Sequence, residues 1–177
     1  MSYEERSGGA RVIHIDFHSP PEEPANEKQR QKAVERSGVL KRRNDPALQK
    51  VVDEAAEMFQ APIAAISIID RDRQWFVART GLEAEETPRG ISFCAHAIHW
   101  PAEPLVVPDA RHDQRFSGNP LVMFAPHIRF YAGVPLCDRR GYPLGALCII
   151  DSRPREEQPN IVELSLLARE AERVITR

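Results

Sequence analysis

Two apolar segments separated by a short polar one make up the stretch Ile128–Asp151, which predicts two strands joined by a polar turn. The first strand, Arg129–Leu136, is rich in aromatic and β-branched residues. The second, Leu144–Ile150, is almost uninterruptedly apolar, as in strands covered on both faces. Glycine weakens a strand, so Gly133 and Gly145 are each expected to mark a bulge or the close approach of another group. A hairpin is not stable alone, so the rest of the chain must supply neighbouring strands and a cover.

A second hairpin and two long helices are predicted around this stretch. Ile63–Ile69 is a β-branched run, and Gln74–Arg79 returns as its partner strand after a tight polar turn. Asp45 suits an N-cap and Pro46 the first position of a helix, and Asn160 suits the N-cap of another. Apolar residues at helical spacing follow both caps, so each helix has one apolar face.

The segment 82–127 is irregular. Its strand signal is confined to Leu105–Val107, a short helical stretch follows Ser92, and a long loop spans Pro108–His127. Loops of this length inside a compact domain are usually functional. Strands in succession with helices at either end favour an antiparallel α+β fold over a parallel sheet.

Residues 1–44 have the composition of a flexible tail, with mixed charges, a proline cluster and little helical periodicity. In Arg11–Phe17 apolar and polar residues alternate, so this segment either adds to a sheet edge or stays unstructured, with any order confined to Val12–Phe17. The predicted organisation is a flexible tail over 1–44 and one folded domain over 45–177, terminal helices included.

Composition narrows the class of protein. The 177 residues carry a net charge of -2, which gives no electrostatic basis for binding nucleic acid. No apolar run is long enough to cross a bilayer, and the N-terminus lacks the apolar core of a signal peptide. Cys94, Cys137 and Cys148 are widely spaced and odd in number, so they form neither a disulfide framework nor a CxxC zinc site. Cys148 is expected to be a small buried hydrophobe. A cytoplasmic protein that contacts neither nucleic acid nor membrane is expected.

Short motifs follow one another from Pro62 onward: Pro62–Asp70, Gln74–Phe76, Gly81–Leu82, Glu86–Ile98, Leu105–Asp109, Asp113–Phe116, Asn119–Val122, Arg129–Leu136 and Gly145–Asp151. In this order they resemble a GAF domain of the bacterial signalling type. The resemblance covers about three quarters of the chain, from Asp45 to Arg177.

The resemblance implies a GAF-like, PAS-related α+β fold. A six-stranded antiparallel sheet is expected to carry helices on one face and a small-molecule pocket on the other, beneath a lid of loops and short helices. It also implies a sensory or regulatory module that binds a small molecule or a partner protein and relays the signal through its terminal helices. Many such domains adjoin histidine kinase, cyclic-dinucleotide or transcriptional output domains, and none is visible here. The identity of the ligand or cofactor is left open.

Cys94 is the candidate for thiol chemistry. A thiol beside the imidazolium of His96 can have a lowered pKa and become redox-active, and His96 and His99 stand at the spacing of a metal-binding pair on a helix. The simpler interpretation is that Ser92 caps a short helix under which Cys94 packs. No complete ligand set accompanies the histidines, so no metal site is predicted. Cys94 is catalytic only if it is redox-active.

The family includes enzymes and chromophore-binding proteins that use pocket cysteines. Free-methionine-sulfoxide reductases work through several cysteines, and the resemblance places Cys94 in a comparable loop. The stretch Ala125–Phe130, however, has no cysteine where such a reductase is expected to carry one. Bilin-binding relatives attach their chromophore through a cysteine near a histidine, but the residues around Cys94–His96 do not resemble a phytochrome. A binding module is therefore favoured over an enzyme, and a redox sensor or reductase-like enzyme using Cys94 is the alternative.

The candidate ligand-binding residues are Phe93, Cys94, His96, Asp109, Arg115, Phe116, Arg129 and Tyr131. Arg115 can hold a carboxylate or phosphate by a two-pronged contact; alternatively it pairs with an aspartate and staples the loop. Strand alternation puts Phe130 on one face and Arg129 and Tyr131 on the other, and one of these faces is expected to line the pocket.

Apolar residues outside the core predict self-association. The second long helix carries Leu166 and Val174 around its circumference, and one helix face cannot bury all its apolar residues against a sheet. Pairing across a two-fold axis covers such surface most simply, so a homodimer through the terminal helices is predicted. A domain that dimerises without any ligand is the remaining alternative.

Overall fold

The computed structural model describes residues 18–177, and its centre is one six-stranded antiparallel sheet. The strands are β1 Ile63–Asp70, β2 Arg73–Thr80, β3 Glu86–Pro88, β4 Leu105–Val107, β5 Phe130–Cys137 and β6 Pro143–Asp151. Their order across the sheet is β3-β2-β1-β6-β5-β4. The predicted fold class and both predicted hairpins are confirmed, and the two hairpins meet where β1 pairs with β6.

Helices cover both faces of the sheet. They are α1 Glu27–Ser37, α2 Pro46–Met58, α3 Phe93–Ala97, α4 Pro120–Met123 and α5 Ile161–Ile175. The long helices α1, α2 and α5 bury their apolar residues in one hydrophobic cluster on one face. The short helices α3 and α4 belong to a second cluster on the opposite face, where they form the predicted lid.

Side-chain caps begin the helices where the sequence predicts them. The Asp45 carboxylate accepts hydrogen bonds from the backbone N–H groups of Ala47 and Leu48 at the start of α2. Ser92 accepts one from Ala95 in α3, and the Asn160 side chain caps α5. These side chains satisfy N–H groups that have no partner inside a helix.

The glycines inside the central hairpin allow close approaches, as predicted. A Cβ atom on Gly145 would lie 1.8 Å from the carbonyl oxygen of Ser67, so only glycine lets β6 pack this tightly on β1. A Cβ atom on Gly133 would lie 2.1 Å from the hydroxyl oxygen of Tyr131. Gly145 allows β6 to pack closely on β1, and Gly133 leaves room for the Tyr131 side chain on the lid face of the sheet.

The prediction of a flexible tail over 1–44 is wrong for residues 27–44, which include α1 and a 3-10 turn at Val39–Lys41. Arg30, Ala33 and Val34 of α1 are buried against the sheet, and the Arg30 guanidinium donates to the carbonyl oxygen of Pro143 at 3.3 Å. The buried face of α1 is short and includes an arginine, so the sequence does not show the helical spacing of apolar residues. The segment Val12–Phe17 lies outside the described residues.

The expectation for the outer surface of α5 is half correct. Val174 is only 7% exposed and belongs to the core, because it faces the sheet. Leu166 is 60% exposed, and Val162, one turn earlier, is 69% exposed. The uncovered apolar stripe of α5 therefore consists of Val162 and Leu166. None of the helices in residues 18–177 is long and apolar enough to cross a membrane.

Candidate functional site

A cavity of about 360 Å³ lies between the lid face of the sheet and the lid. Its size falls in the range of small-molecule sites in proteins. The sheet contributes Ile63, Gln74, Phe76, Tyr131, Cys148 and Ile150; the connection from β2 through β3 contributes Gly81, Leu82, Glu83, Ala84 and Thr87; the lid contributes Phe93, Cys94, Leu121, Ala125, Pro126 and Ile128. The wall is thus mainly aromatic and aliphatic.

Tyr131 forms the centre of the cavity floor. It alternates with Phe130 along β5, so Phe130 packs in the cluster under the long helices while Tyr131 faces the lid. The Tyr131 side chain lies back over Gly133, which has no Cβ to obstruct it. Its hydroxyl donates a hydrogen bond of 3.1 Å to the Cys94 sulfur, so a strand residue is joined to the lid helix.

The buried thiol of Cys94 has polar neighbours as well as apolar ones. Burial opposes ionisation of its thiol, but the neighbouring polar side chains of Cys148, Ser67 and Tyr131 outweigh burial and lower the pKa of Cys94. The pKa of Cys148 is raised well above its usual range by the hydrogen bond with Cys94 and by burial. Burial and the neighbouring thiols likewise raise the pKa of Tyr131. All three cysteines are free thiols.

The residues around Cys94 pack the lid from above. The rings of Phe93 and Phe116 stack with centroids 3.9 Å apart, and Phe116 is fully buried behind Phe93 rather than in the cavity wall. His96 packs edge-on against Phe116 at 4.8 Å. Burial, followed by the charge of Arg115, lowers the pKa of His96 to about 4, so its imidazole is neutral near pH 7. A neutral His96 cannot act as the imidazolium that activates Cys94.

The charged candidates are engaged within the loop. Arg115 pairs with Asp113 at 2.6 Å, which is the loop staple considered above, and Asp109 pairs with Arg111 at 2.6 Å. Arg129 donates to the carbonyl oxygen of Val122 at 2.9 Å and ties β5 to α4. None of these charged candidates contributes to the cavity wall.

Of the eight candidate residues, the structure brings Phe93, Cys94 and Tyr131 together at the cavity. The sequence interpretation missed a polar corner of the cavity wall, where the Gln74 side chain donates to the Thr87 hydroxyl at 2.9 Å. Gln74 also accepts from the Ser92 hydroxyl at 2.8 Å. The sequence signal for this polar corner is Gln74 itself, a glutamine among apolar residues of a strand.

Within residues 18–177 no group of three or more histidine, cysteine or acidic residues is placed to hold a metal ion. His96 and His99 each turn a ring toward a neighbouring aromatic side chain, Phe116 and Trp100 respectively.

The class of this protein is an α+β domain with long helices on one face of an antiparallel sheet and a lidded cavity on the other. The family model for the GAF domain matches residues 44–175, and the chain belongs to the GAF domain family. The predicted resemblance is confirmed.

The chain is 46% identical over 135 residues to a cyclic di-GMP phosphodiesterase of Pseudomonas aeruginosa. The match covers 76% of this chain and 23% of that protein, so the chain spans about a quarter of the length of this curated relative.

Solved structures show the same fold at low identity. A free methionine-R-sulfoxide reductase from Neisseria meningitidis has a TM-score of 0.59 at 18% identity, covering 92% of this chain and 96% of that one. The GAF domain of a phosphoenolpyruvate-protein phosphotransferase from Acinetobacter has a TM-score of 0.56 at 18% identity, covering 83% and 92%.

Proposed function

We propose that this chain is a cytoplasmic sensory module that binds a small molecule in the cavity between the sheet and the lid. The cavity itself carries the proposal: it is bounded by residues of three separate segments, so a bound molecule would contact the sheet, the β2–β3 connection and the lid at once. A ligand that contacts several segments can shift the equilibrium between their arrangements, provided that it binds one arrangement better.

The terminal helices are suited to relay such a change. Arg42 lies between them and contacts both the Asp45 carboxylate at the start of α2 and the carbonyl oxygen of Val174 near the end of α5. Arg155 follows β6 and donates to the carbonyl oxygen of Phe59 at the end of α2 at 2.8 Å. In this proposal, movement of β6 reaches the end of α2 through Arg155, and Arg42 couples the start of α2 to the end of α5.

The similarity to a cyclic di-GMP phosphodiesterase supports a regulatory role. In this proposal, the module controls an output activity in the same chain or in a partner protein, and cyclic-dinucleotide turnover is the output class that the relative suggests. A homodimer through α2 and α5 would place two copies of the relay side by side.

Native mass spectrometry of the protein purified from its own source tests ligand binding. We expect a co-purifying small molecule that Leu82→Trp excludes, because Leu82 lines the cavity and is half-buried. Leu105→Trp is the matched control, since Leu105 packs against the same cluster but does not line the cavity. Loss of the ligand from the control, or its retention by Leu82→Trp, would count against this cavity.

A thiol function is the second candidate, and one observation favours it. Cys94 and Cys148 both line the cavity, and the polar side chains beside Cys94 lower the pKa of its thiol. A redox sensor using these thiols requires them to react in the folded protein. Thiol titration decides between the candidates, because a packing role predicts that Cys94 is protected while the protein is folded.

A further inference from the structure

The chemistry of the cavity wall defines the class of ligand. Among the described residues that line the cavity there is no lysine, arginine or histidine, and the acidic side chain, Glu83, is exposed at the rim. We infer that the cavity selects an uncharged, mainly apolar molecule of about one or two fused rings and rejects anions such as carboxylates and phosphates. This inference rests on the proposed function.

Two basic side chains that contact the backbone of the cavity wall are held by it. Arg79 donates to the backbone carbonyl oxygens of Leu82 and Glu83 at 3.0 and 3.4 Å. Arg129 is bound to the backbone of the lid at Val122. An anion entering the cavity would lose its hydration and gain no compensating positive charge, which is strongly unfavourable.

The polar groups of the wall are also mostly committed. The Tyr131 hydroxyl donates to Cys94, and the Gln74 side chain is joined to both Thr87 and Ser92. The corner of Gln74 and Thr87 can meet a single polar group of a ligand without breaking these bonds, because an amide nitrogen has two hydrogen atoms to donate and a hydroxyl has one. A molecule with one polar atom and an otherwise apolar surface matches this wall.

The cavity volume suits a ligand of one or two fused rings. An apolar cavity of about 150 Å³ binds benzene in a well-studied protein. The cavity here, at about 360 Å³, is more than twice as large. Three aromatic side chains, Phe76, Phe93 and Tyr131, contribute to its wall, and flat rings pack favourably against such faces.

The test compares indole with indole-3-carboxylate, two probes of matched shape that differ in charge, by titration of the full chain in a calorimeter. We expect indole to bind at least about tenfold more tightly than the carboxylate. Leu82→Trp should abolish indole binding, and Leu105→Trp should preserve it. Leu82→Arg adds a cation at the cavity wall and should shift the preference toward the carboxylate, while Leu105→Arg should not.

The outcomes separate the two proposals. Tighter binding of the carboxylate to the unmutated protein, sensitive to Leu82→Trp, would overturn the ligand class and leave the proposed function intact. Failure of both probes to bind would overturn the ligand class as well, since an accessible apolar cavity of this size must accept indole. Native mass spectrometry would then be the remaining test of whether the cavity binds a small molecule.

Discussion

The hydroxyl of Tyr131 occupies the space that a side chain of Gly133 would fill, because a Cβ atom on Gly133 would stand 2.1 Å from that oxygen. The two residues are two apart on β5 and therefore share the lid face. The missing side chain of Gly133 lets the Tyr131 hydroxyl reach Cys94 in α3. One small residue thus shapes the cavity floor and its contact with the lid.

The first prediction follows from this contact. Gly133→Ala should displace the Tyr131 ring into the cavity and destabilise the protein by about 1–3 kcal/mol, as overpacking of a core does. Gly141→Ala, in the same hairpin, separates overpacking from backbone strain. Nothing lies within 4 Å of a Cβ atom there, but the φ of +84° makes alanine strained. Urea unfolding measures both. Unchanged stability and unchanged ligand binding in Gly133→Ala would contradict this account of the floor.

A buried ion network joins α1 to the lid side of the domain. Glu27 pairs with Arg30 at 2.7 Å and with Arg89, in the 3-10 turn before α3, at 2.5 Å. Glu27→Gln should destabilise the protein by about 3 kcal/mol because it leaves two buried guanidinium groups without their shared carboxylate. Glu35→Gln removes an exposed pair with Arg71 and should cost less than about 1 kcal/mol. If chemical denaturation gave equal losses of unfolding free energy for the two substitutions, the buried network would stabilise the protein no more than an exposed ion pair does.

The same network predicts an acid transition. Burial alone would raise the pKa of Glu27, but hydrogen bonds and charges from Arg30 and Arg89 lower it from 4.5 to about 2. A carboxyl whose pKa is lower in the folded state binds protons more readily when unfolded, so folding stability is lost as the pH falls. The contribution of Glu27 is complete above about pH 4.5 and disappears toward pH 2. The difference in unfolding free energy between the unmutated protein and Glu27→Gln should shrink over this window; a constant difference would contradict the pairing.

The three cysteines should react in an order set by exposure. Burial, followed by the charges of Glu172 and Asp138, raises the pKa of Cys137 to about 11, so this half-buried thiol should react slowly and faster at higher pH. Cys94 and Cys148 are fully buried and should react only on unfolding. Cys94→Ser should keep the fold and any ligand binding. A Cys94 that reacts with an aromatic disulfide reagent faster than free cysteine near pH 7 would favour the redox function.

Self-association should depend on the outer face of α5. Val162→Glu with Leu166→Glu should convert a homodimer to a monomer while the sheet stays folded, because both side chains are exposed. Val174→Glu is unsuitable for this purpose, since it would bury a charge in the core. Light scattering at micromolar concentration measures the change. A monomeric unmutated chain would end the dimer hypothesis.

Both hairpins are predictable from the sequence because their apolar strands are separated by short polar turns, and α2 and α5 are predictable because their caps are local signals. β3 was not, since Glu86–Pro88 has three residues, low strand propensity and a proline. α1 is not predicted because Arg30 occupies a core position, where its guanidinium donates to the Pro143 carbonyl oxygen, a contact that only the fold supplies.

The site was partly predictable for a similar reason. Strand alternation indicates which face Tyr131 takes, but the cavity wall depends on how the lid lies over the sheet. The sequence leaves Arg115 either as a ligand contact or as a loop staple, and the structure shows the staple: Asp109–Arg111 and Asp113–Arg115 pair within the loop at a spacing of two residues. That Asp-x-Arg spacing, present twice, was the local sign of a staple.

Methyl NMR of the full chain, titrated with a small-molecule extract of the cells that produce it, shows directly whether the cavity binds a small molecule. We expect the methyl signals of Ile63, Ile128 and Ile150, which line the cavity, to shift on addition of the extract. Signals of Val162 and Leu166, on the exposed face of α5, should stay in place at a protein concentration where the association state is constant. Unmoved cavity signals, or shifts confined to the surface of α5, would contradict a small-molecule sensor built around this cavity.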